Sequence, residues 1–209
     1  MSREGVIKYQ LDHQRQALPD DIDLSDLEHW RRHFHQLGLI ARDPSRYEGL
    51  GYGNISQRHP LPDNPNAFVI SGSQTAHLAA MDREGYALVT GFDIAHNRLS
   101  SLGPRPPSSE ALTHATIYQH EPTAMAVIHV HDPGLWRAAV HLGLPVTPAG
   151  IEYGTVAMAE AIQRVLTEQK DAPCLLSMGG HEDGVIAWGK SLAEAAATLT
   201  RYHRLASER

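Results

Sequence analysis

The stretch that decides the fold is GPRPPSSEALTHATIYQHEPTAMAVIHVHDP, residues 103–133. A proline-rich loop leads into Ser108, Ser109 and Glu110, and the next ten residues favour a helix. Glu121-Pro122 ends that helix, because a residue that precedes proline disfavours the helical conformation. The following run, Ala124 to His131, is rich in valine and isoleucine and contains no turn former, so it predicts a strand.

This strand places two histidines on one side of a sheet. Side chains alternate along a strand, so His129 and His131 share one face and Val130 points to the other. Two imidazoles on one face are half of a metal site. Glu110, at the start of the preceding helix, adds a carboxylate that the chain can fold back beside them.

The order of several motifs resembles the class II aldolase/adducin family, which includes fuculose-phosphate and rhamnulose-phosphate aldolases. The motifs, in chain order, are Gly53-Asn54-Ile55-Ser56, Ser71-Gly72-Ser73, Pro107-Ser108-Ser109-Glu110, His129-Val130-His131, and His181 before Gly184–Gly189. Five motifs in the right order are more specific than any one of them. The resemblance covers roughly residues 25 to 205.

The resemblance implies an α/β fold, a three-layer α/β/α sandwich around a mixed, largely antiparallel sheet. Residues 25–209 are expected to form a single domain of the class II aldolase/adducin type. Residues 1–24 are polar and predict an N-terminal arm, with a short strand at Val6 to Tyr9.

A metal site of three histidines follows from the same resemblance. His129, His131 and His181 would leave an open position, which is the pattern of catalytic zinc. We therefore expect a divalent metal, Zn²⁺ first, with Mn²⁺ or Co²⁺ as alternatives. Family members usually carry His-Gly before the last strand, whereas two residues intervene here, so Glu182 or Asp183 is left open as the third ligand.

The resemblance also predicts a site for the phosphate or another anionic group of a small-molecule substrate. Serines before a helix and small residues at a strand end can offer N–H and O–H groups to an anion. The residues are Asn54, Ser71, Gly72, Ser73, Ser108 and Ser109. Plain turns and helix caps are the alternative interpretation.

The implied activity is that of a metal-dependent aldehyde-lyase. It would cleave a sugar phosphate or a related hydroxy-carbonyl compound by a retro-aldol reaction through a metal-stabilised enediolate, with Glu110 moving the proton. An epimerase, a dehydratase, a decarboxylase and a noncatalytic adducin-like scaffold are the alternatives. The family tyrosine that protonates the leaving half has no clean counterpart, and only Tyr153 lies near.

Composition excludes several other classes of protein. A net charge of -6 disfavours binding to nucleic acid. No apolar run is long enough to cross a membrane, and the N-terminus does not resemble a secretory signal. A single cysteine, Cys174, excludes an intrachain disulfide and fits a reducing compartment, so we expect a cytoplasmic enzyme.

Three smaller expectations concern helices and surface residues. Ser25 with Glu28, and Ser191 with Glu194, have the spacing of capping boxes. Arg31 is assigned to a solvated helix face and His114 to the surface. Trp136 and Tyr153 are expected to be exposed near the site.

The resemblance predicts a homotetramer with its sites at subunit junctions. Exposed aromatic residues near the site would support such contacts. The molar mass in solution at micromolar concentration, measured by scattering, tests this expectation. A monomeric mass would contradict it.

Overall fold

A large sheet organises the molecule, whose computed structural model describes residues 5–168 and 172–208. Within these residues the strands are β1 (Gln10–Arg15), β2 (Ala41–Arg42), β3 (Gly51–Tyr52), β4 (Asn54–Arg58), β5 (Phe68–Ser71), β6 (Tyr86–Asp93), β7 (Arg98–Gly103), β8 (Ala126–His131), β9 (Leu175–Ser177) and β10 (Gly184–Gly189). Eight of them form one sheet in the order β1-β7-β6-β5-β4-β8-β10-β9, and β2 pairs with β3 separately. In the large sheet β1 and β7 run parallel, and the other neighbouring pairs are antiparallel.

Helices cover both faces of this sheet. They are α1 (Ser25–Gln36), α2 (Ala111–His120), α3 (Pro133–Ala138), α4 (Val156–Glu168) and α5 (Leu192–Ser207). Side chains of α1, α3 and α5 pack in one apolar cluster against the sheet, and those of α2 and α4 pack in a second cluster. The predicted three-layer α/β/α sandwich with a mixed, largely antiparallel sheet is therefore confirmed.

The alternation of β8 decides which layer receives the histidines. Ile128 and Val130 belong to the cluster of α1 and α5, whereas Val127 belongs to the cluster of α2 and α4. His129 and His131 share the face of Val127, because side chains two apart point the same way. Every residue of β8 is buried.

Two strands differ from the sequence-based expectation. The N-terminal strand lies at Gln10–Arg15 rather than at Val6 to Tyr9, and it pairs with β7, so part of the expected arm extends the main sheet. Strand β4 was missed, because residues 43–66 contain many glycine, proline and asparagine residues. Its polar side chains Asn54 and Ser56 are nevertheless buried at the centre of the sheet.

The start of α1 also differs from the expectation. The hydroxyl of Ser25 donates to Asp23 Oδ1 at 2.6 Å, and the N-cap of α1 makes no side-chain hydrogen bond, so the expected capping box is absent. At the second site Ser191 is the N-cap of α5, and its Oγ accepts from the Glu194 N–H at 3.1 Å. The Glu194 carboxylate accepts from the Lys190 N–H at 3.2 Å rather than from that of Ser191, so only the serine half of the capping box is present.

Glu28 instead joins α1 to β6. Its Oε2 accepts from Arg31 Nε at 2.9 Å and from the Tyr86 hydroxyl at 2.7 Å, and its Oε1 accepts from the Met81 N–H. Arg31 is only 1% exposed, so its assignment to a solvated face is wrong. Burial raises the pKa of Glu28, but these hydrogen bonds outweigh it and hold the pKa below its ordinary value.

No helix of the described residues is long and apolar enough to cross a membrane.

The substitution Glu28→Gln should destabilise the fold by about 2 kcal/mol, the usual loss for hydrogen bonds to a charged group. Because the folded-state pKa of Glu28 is depressed, its stabilisation is present above the unfolded-state pKa and is lost as the pH falls through the folded-state value. Urea unfolding from neutral to acid pH should therefore show the wild type losing its advantage over the variant. Glu160→Gln, at an exposed position of α4, is the control and should change little. Equal stability of Glu28→Gln and wild type at neutral pH would contradict this account.

Candidate metal centre and anion cleft

Three buried histidines meet at one end of the central strands. His129 and His131 come from β8, and His181 comes from the turn between β9 and β10. One ligand atom from each residue lies within 4.8 Å of the others, a grouping that could hold a metal ion. His129 and His131 are fully buried, and His181 is 4% exposed.

Glycines allow the turn of His181 to approach its neighbours. A Cβ atom on Gly180 would lie 1.9 Å from the Ile151 carbonyl oxygen, and one on Gly179 would lie 2.1 Å from that of Thr147. Gly184 pairs with His131 across the strands, and a Cβ there would lie 3.0 Å from His181 Cγ. The sequence Gly-Gly-His therefore serves close packing of this turn against the loop before α4.

The donor set fits a divalent metal ion. His129 Nδ1 lies 3.1 Å from the Val185 carbonyl oxygen, which can only accept, so Nδ1 carries the proton. His129 Nε2 is buried and has no hydrogen-bond partner among the described residues. Burial, followed by the nearby His181, lowers the pKa of both His129 and His131 well below the ordinary value. Both rings are therefore neutral, as metal ligation requires.

Glu110 lies beside the histidine cluster. The carboxylate is 1% exposed, and its Oε1 is 3.5 Å from His181 Nδ1. Its Oε2 accepts a hydrogen bond from the Thr113 hydroxyl at 2.7 Å. The sequence predicted Glu110 in the first turn of a helix, whereas α2 begins at the next residue and Glu110 is its N-cap.

The Asp183 carboxylate accepts hydrogen bonds from two other side chains. Its Oδ2 accepts from the Tyr47 hydroxyl at 2.5 Å and from Arg46 Nη2 at 3.1 Å. The sequence left the third ligand open between several residues. In the structure His181 lies in the histidine cluster, whereas the Asp183 carboxylate is hydrogen-bonded to Tyr47 and Arg46.

Tyrosines also surround the cluster, and sequence patterns did not indicate them. The ring of Tyr47 lies edge-on to His131 with centroids 4.7 Å apart, and that of Tyr52 lies at 5.2 Å. Tyr47, Glu48 and Asp183 have φ values of 48°, 58° and 62°. Such left-handed backbone is costly for non-glycine residues and concentrates at functional sites. The nearby glycines signalled an irregular loop but not which side chains it presents.

A polar cleft adjoins the histidines. It is lined by residues of three loops, Gly51–Asn54, Gly72–Ala76 and Ser108–Ser109, together with Gly5. Five of the six residues predicted to bind an anion are in this lining: Asn54, Gly72, Ser73, Ser108 and Ser109. Ser71 is not in the lining, and its hydroxyl accepts from the Ile55 N–H at 3.2 Å. Its carbonyl accepts from the Ser108 N–H, so Ser71 joins β4 to Ser108 and Ser109, the serine turn before α2.

Asn54 connects the cleft to the histidines. It pairs with His129 in the register of β4 and β8, so both side chains lie on the same face of the sheet. Asn54 Oδ1 is buried without a hydrogen-bond partner among the described residues.

Comparison with known proteins identifies the family. The model of the Class II Aldolase and Adducin N-terminal domain matches residues 43–208. The chain belongs to this family.

Relatives of the class II aldolase family differ in their reactions. The methylthioribulose-1-phosphate dehydratase of Methylococcus capsulatus is 28% identical over 168 residues, 68% of this chain and 74% of that protein. The dehydratase of the same name from Gluconacetobacter diazotrophicus is 40% identical over 80 residues, 38% of this chain and 34% of that protein.

The L-fuculose-1-phosphate aldolase of Thermus thermophilus has a TM-score of 0.63 at 20% identity, over 88% of this chain and 90% of that one. A sugar-phosphate aldolase from Thermotoga maritima has a TM-score of 0.67 at 15% identity, over 88% and 92% of the two chains. At this identity the solved structures show the fold alone.

Three side chains near the site of this class II aldolase-family chain differ from their sequence-based assignment. His114 is fully buried rather than on the surface: its Nδ1 lies 2.7 Å from Ser56 Oγ, and burial lowers its pKa to about 3. Tyr153 is 2% exposed and stacks on His181 with centroids 4.6 Å apart. Trp136 is half-buried and donates to the Met178 carbonyl. The expected exposure of these two aromatic residues is therefore wrong, and the predicted homotetramer loses that support.

Replacing His129 and His131 together by alanine should remove most of the bound divalent metal, because two of three nitrogen donors are lost. Asp183→Asn should keep the metal, since its carboxylate is held by Tyr47 and Arg46. Metal content after dialysis of zinc-loaded protein measures the difference, with circular dichroism as a check on folding. His96→Ala, which removes an exposed histidine, is the control. Full metal occupancy in the double variant would refute this ligand set.

Proposed function

We propose that this chain is a metal-dependent lyase that removes water from a phosphorylated ketose. The observation that carries the proposal is the buried Glu110 carboxylate, 3.5 Å from His181 and next to a cleft of small polar residues. A proton-transfer group, a candidate metal site and a candidate phosphate site thus adjoin. The curated relatives described above are named as dehydratases of such a substrate, which favours this reaction among those of the family.

Each group has a defined task in this proposal. His129, His131 and His181 would hold a divalent ion, Zn²⁺ first and Mn²⁺ or Co²⁺ as alternatives, which supplies a Lewis acid for the substrate carbonyl. Asn54, Gly72, Ser73, Ser108 and Ser109 line the cleft proposed for the phosphate. Ser71 acts indirectly, by joining the serine turn to β4.

Glu110 is the proposed base. It would take the proton from the carbon next to the carbonyl, after which the C–O bond to the hydroxyl of the following carbon breaks. That hydroxyl would leave as water with the proton that Glu110 took, so that Glu110 returns to its carboxylate form. The hydrogen bond from Thr113 orients the carboxylate, since it fixes Oε2 and leaves Oε1 directed toward His181.

Aldol cleavage, the reaction first expected from the sequence, is the second candidate. It requires a base for a hydroxyl proton and an acid for the leaving half. Tyr47 is the candidate acid, because its ring lies against His131 and burial raises the pKa of the phenol, which therefore stays protonated. Dehydration and aldol cleavage therefore differ in which substrate proton faces Glu110 and which bond breaks, not in the groups required. A noncatalytic scaffold, another alternative that the sequence left open, would have no need of a bound metal or of Glu110.

Product analysis separates these candidates. Zinc-loaded protein is incubated with methylthioribulose 1-phosphate and, separately, with fuculose 1-phosphate, and products are identified by mass spectrometry. Loss of one water without chain cleavage supports the dehydratase. Two carbonyl fragments support the aldolase. No turnover of either compound with zinc, manganese or cobalt would count against the proposed function.

Glu110→Gln should retain the metal and lose roughly 100-fold or more in turnover, the usual contribution of a general base. The amide keeps the shape of the side chain but cannot take the proton. Metal content and steady-state rates are measured on the same preparation, with Glu160→Gln as the control. If Glu110 only caps α2, the variant will lose a little stability and keep its turnover, and this mechanism must then be abandoned.

A further inference from the structure

The N-terminal segment, residues 5–9, runs along the candidate site although it lies outside the region that the family model matches. It continues into β1, and Asn97 anchors the junction. Asn97 Nδ2 donates to the Lys8 carbonyl at 3.0 Å, and the Gln10 N–H donates to the Asn97 carbonyl at 2.8 Å. The segment is thereby fixed at one end by the sheet. Lys8 also pairs with Glu152 at 3.1 Å, and Ile7 and Tyr9 pack in the apolar cluster of α2 and α4.

Its first residue forms part of the anion cleft. Gly5 lines the cleft together with Ser73, Gln74 and Ser108. Gln74 Nε2 donates to the Gly5 carbonyl at 3.2 Å. Gly5 has a φ of +67°, and an added Cβ would lie 2.2 Å from Gln74 Nε2. This position therefore needs glycine if Gln74 is to keep its place in the cleft.

The middle of the segment contacts Tyr153, the tyrosine whose ring stacks on that of His181. The Val6 N–H donates to the Tyr153 hydroxyl at 3.2 Å. Lys8 Nζ donates to the Tyr153 carbonyl at 3.0 Å and lies 4.0 Å from the centroid of its ring. The same ring stacks on His181. Lys8 and Val6 thus fix the orientation of the ring against which His181 packs.

Tyr9 forms a hydrogen bond with the serine turn. Its hydroxyl donates to the Ser108 carbonyl at 2.8 Å, and its side chain is 5% exposed. Burial, followed by the charge of Glu110, raises the pKa of Tyr9, so the phenol stays protonated and remains a donor. Ser108 in turn accepts from the Glu110 N–H through its hydroxyl at 3.3 Å. The Ser108 carbonyl thus accepts both from Tyr9 and, at 3.0 Å, from the Ala111 N–H at the start of α2.

We propose that residues 5–9 form a wall of the substrate site, with Tyr9 and Lys8 as positioning residues for the serine turn and for Tyr153. The ligand of this wall is the phosphate end of the substrate, so the ligand class rests on the function proposed above. The segment contacts two of the three loops of the cleft and the tyrosine that stacks on His181. The Gly5 carbonyl bonds Gln74, the Tyr9 hydroxyl bonds Ser108, and the Val6 N–H and Lys8 Nζ bond Tyr153.

The test uses the zinc-loaded full chain and inorganic phosphate as the probe. Tyr9→Phe should raise the Kd for phosphate about 5-fold in isothermal titration, the size expected when one ordinary hydrogen bond that holds a binding turn is lost. Metal content should stay unchanged. Tyr86→Phe is the matched control, because it removes another buried tyrosine hydroxyl, bonded to Glu28, outside the cleft lining. Its Kd should equal that of the wild type even where its melting temperature falls.

A second variant covers the case in which Tyr9→Phe does not fold. Gly5→Ala displaces Gln74 and should also raise the Kd for phosphate, while Gly150→Ala, in open space, should not. An unchanged phosphate Kd in folded Tyr9→Phe or in folded Gly5→Ala would overturn the inference, as would a wild type that binds no phosphate. A wild type that binds phosphate but converts no ketose phosphate would defeat the proposed function and leave the wall intact.

Discussion

The pairing of β8 between β4 and β10 is the interaction on which the rest of the site depends. Its register sets His129 opposite Asn54 on one side and opposite Ile186 on the other, and it sets His131 opposite Gly184. A shift of one residue would turn both histidines into the apolar cluster of α1 and α5 and bring Val130 to the site. The buried isoleucine and valine side chains of that cluster therefore hold the histidines in place, because they make any other register unfavourable.

This arrangement requires many polar groups in the interior, and their hydrogen bonds make it tolerable. Ser56 Oγ joins His114 and Tyr118, Thr113 orients Glu110, and Val185 fixes the tautomer of His129. An unpaired polar group at such depth costs stability, so each of these bonds is a condition for burying the site. The left-handed residues of the Tyr47 loop add further cost, and the hydrogen bond from the Tyr47 hydroxyl to Asp183 helps to hold this loop in place.

The groups proposed for the site would serve more than one reaction. A base, a candidate Lewis-acid position and an anion cleft are the requirements shared by dehydration and aldol cleavage of a phosphorylated ketose. In the proposed mechanism the outcome would depend on how the substrate is held between the cleft and Glu110. The N-terminal segment, outside the matched family region, is proposed to take part in that positioning. Relatives of this chain are named as dehydratases, and a solved structure of similar fold is named as an aldolase, so the fold alone does not decide between these reactions.

The sequence by itself determined the features that follow from local geometry. Strand alternation put His129 and His131 on one face, Pro-Ser-Ser-Glu marked the start of α2, and the order of motifs indicated the three-layer fold. Only the tertiary structure decided the partners of these groups, because each contact joins distant parts of the chain. Tyr47 meets Asp183 across 136 residues, and Tyr9 meets Ser108 across 99. Strand β4 and buried His114 were missed for the same reason: their polar side chains become interior only when β4 inserts beside β8.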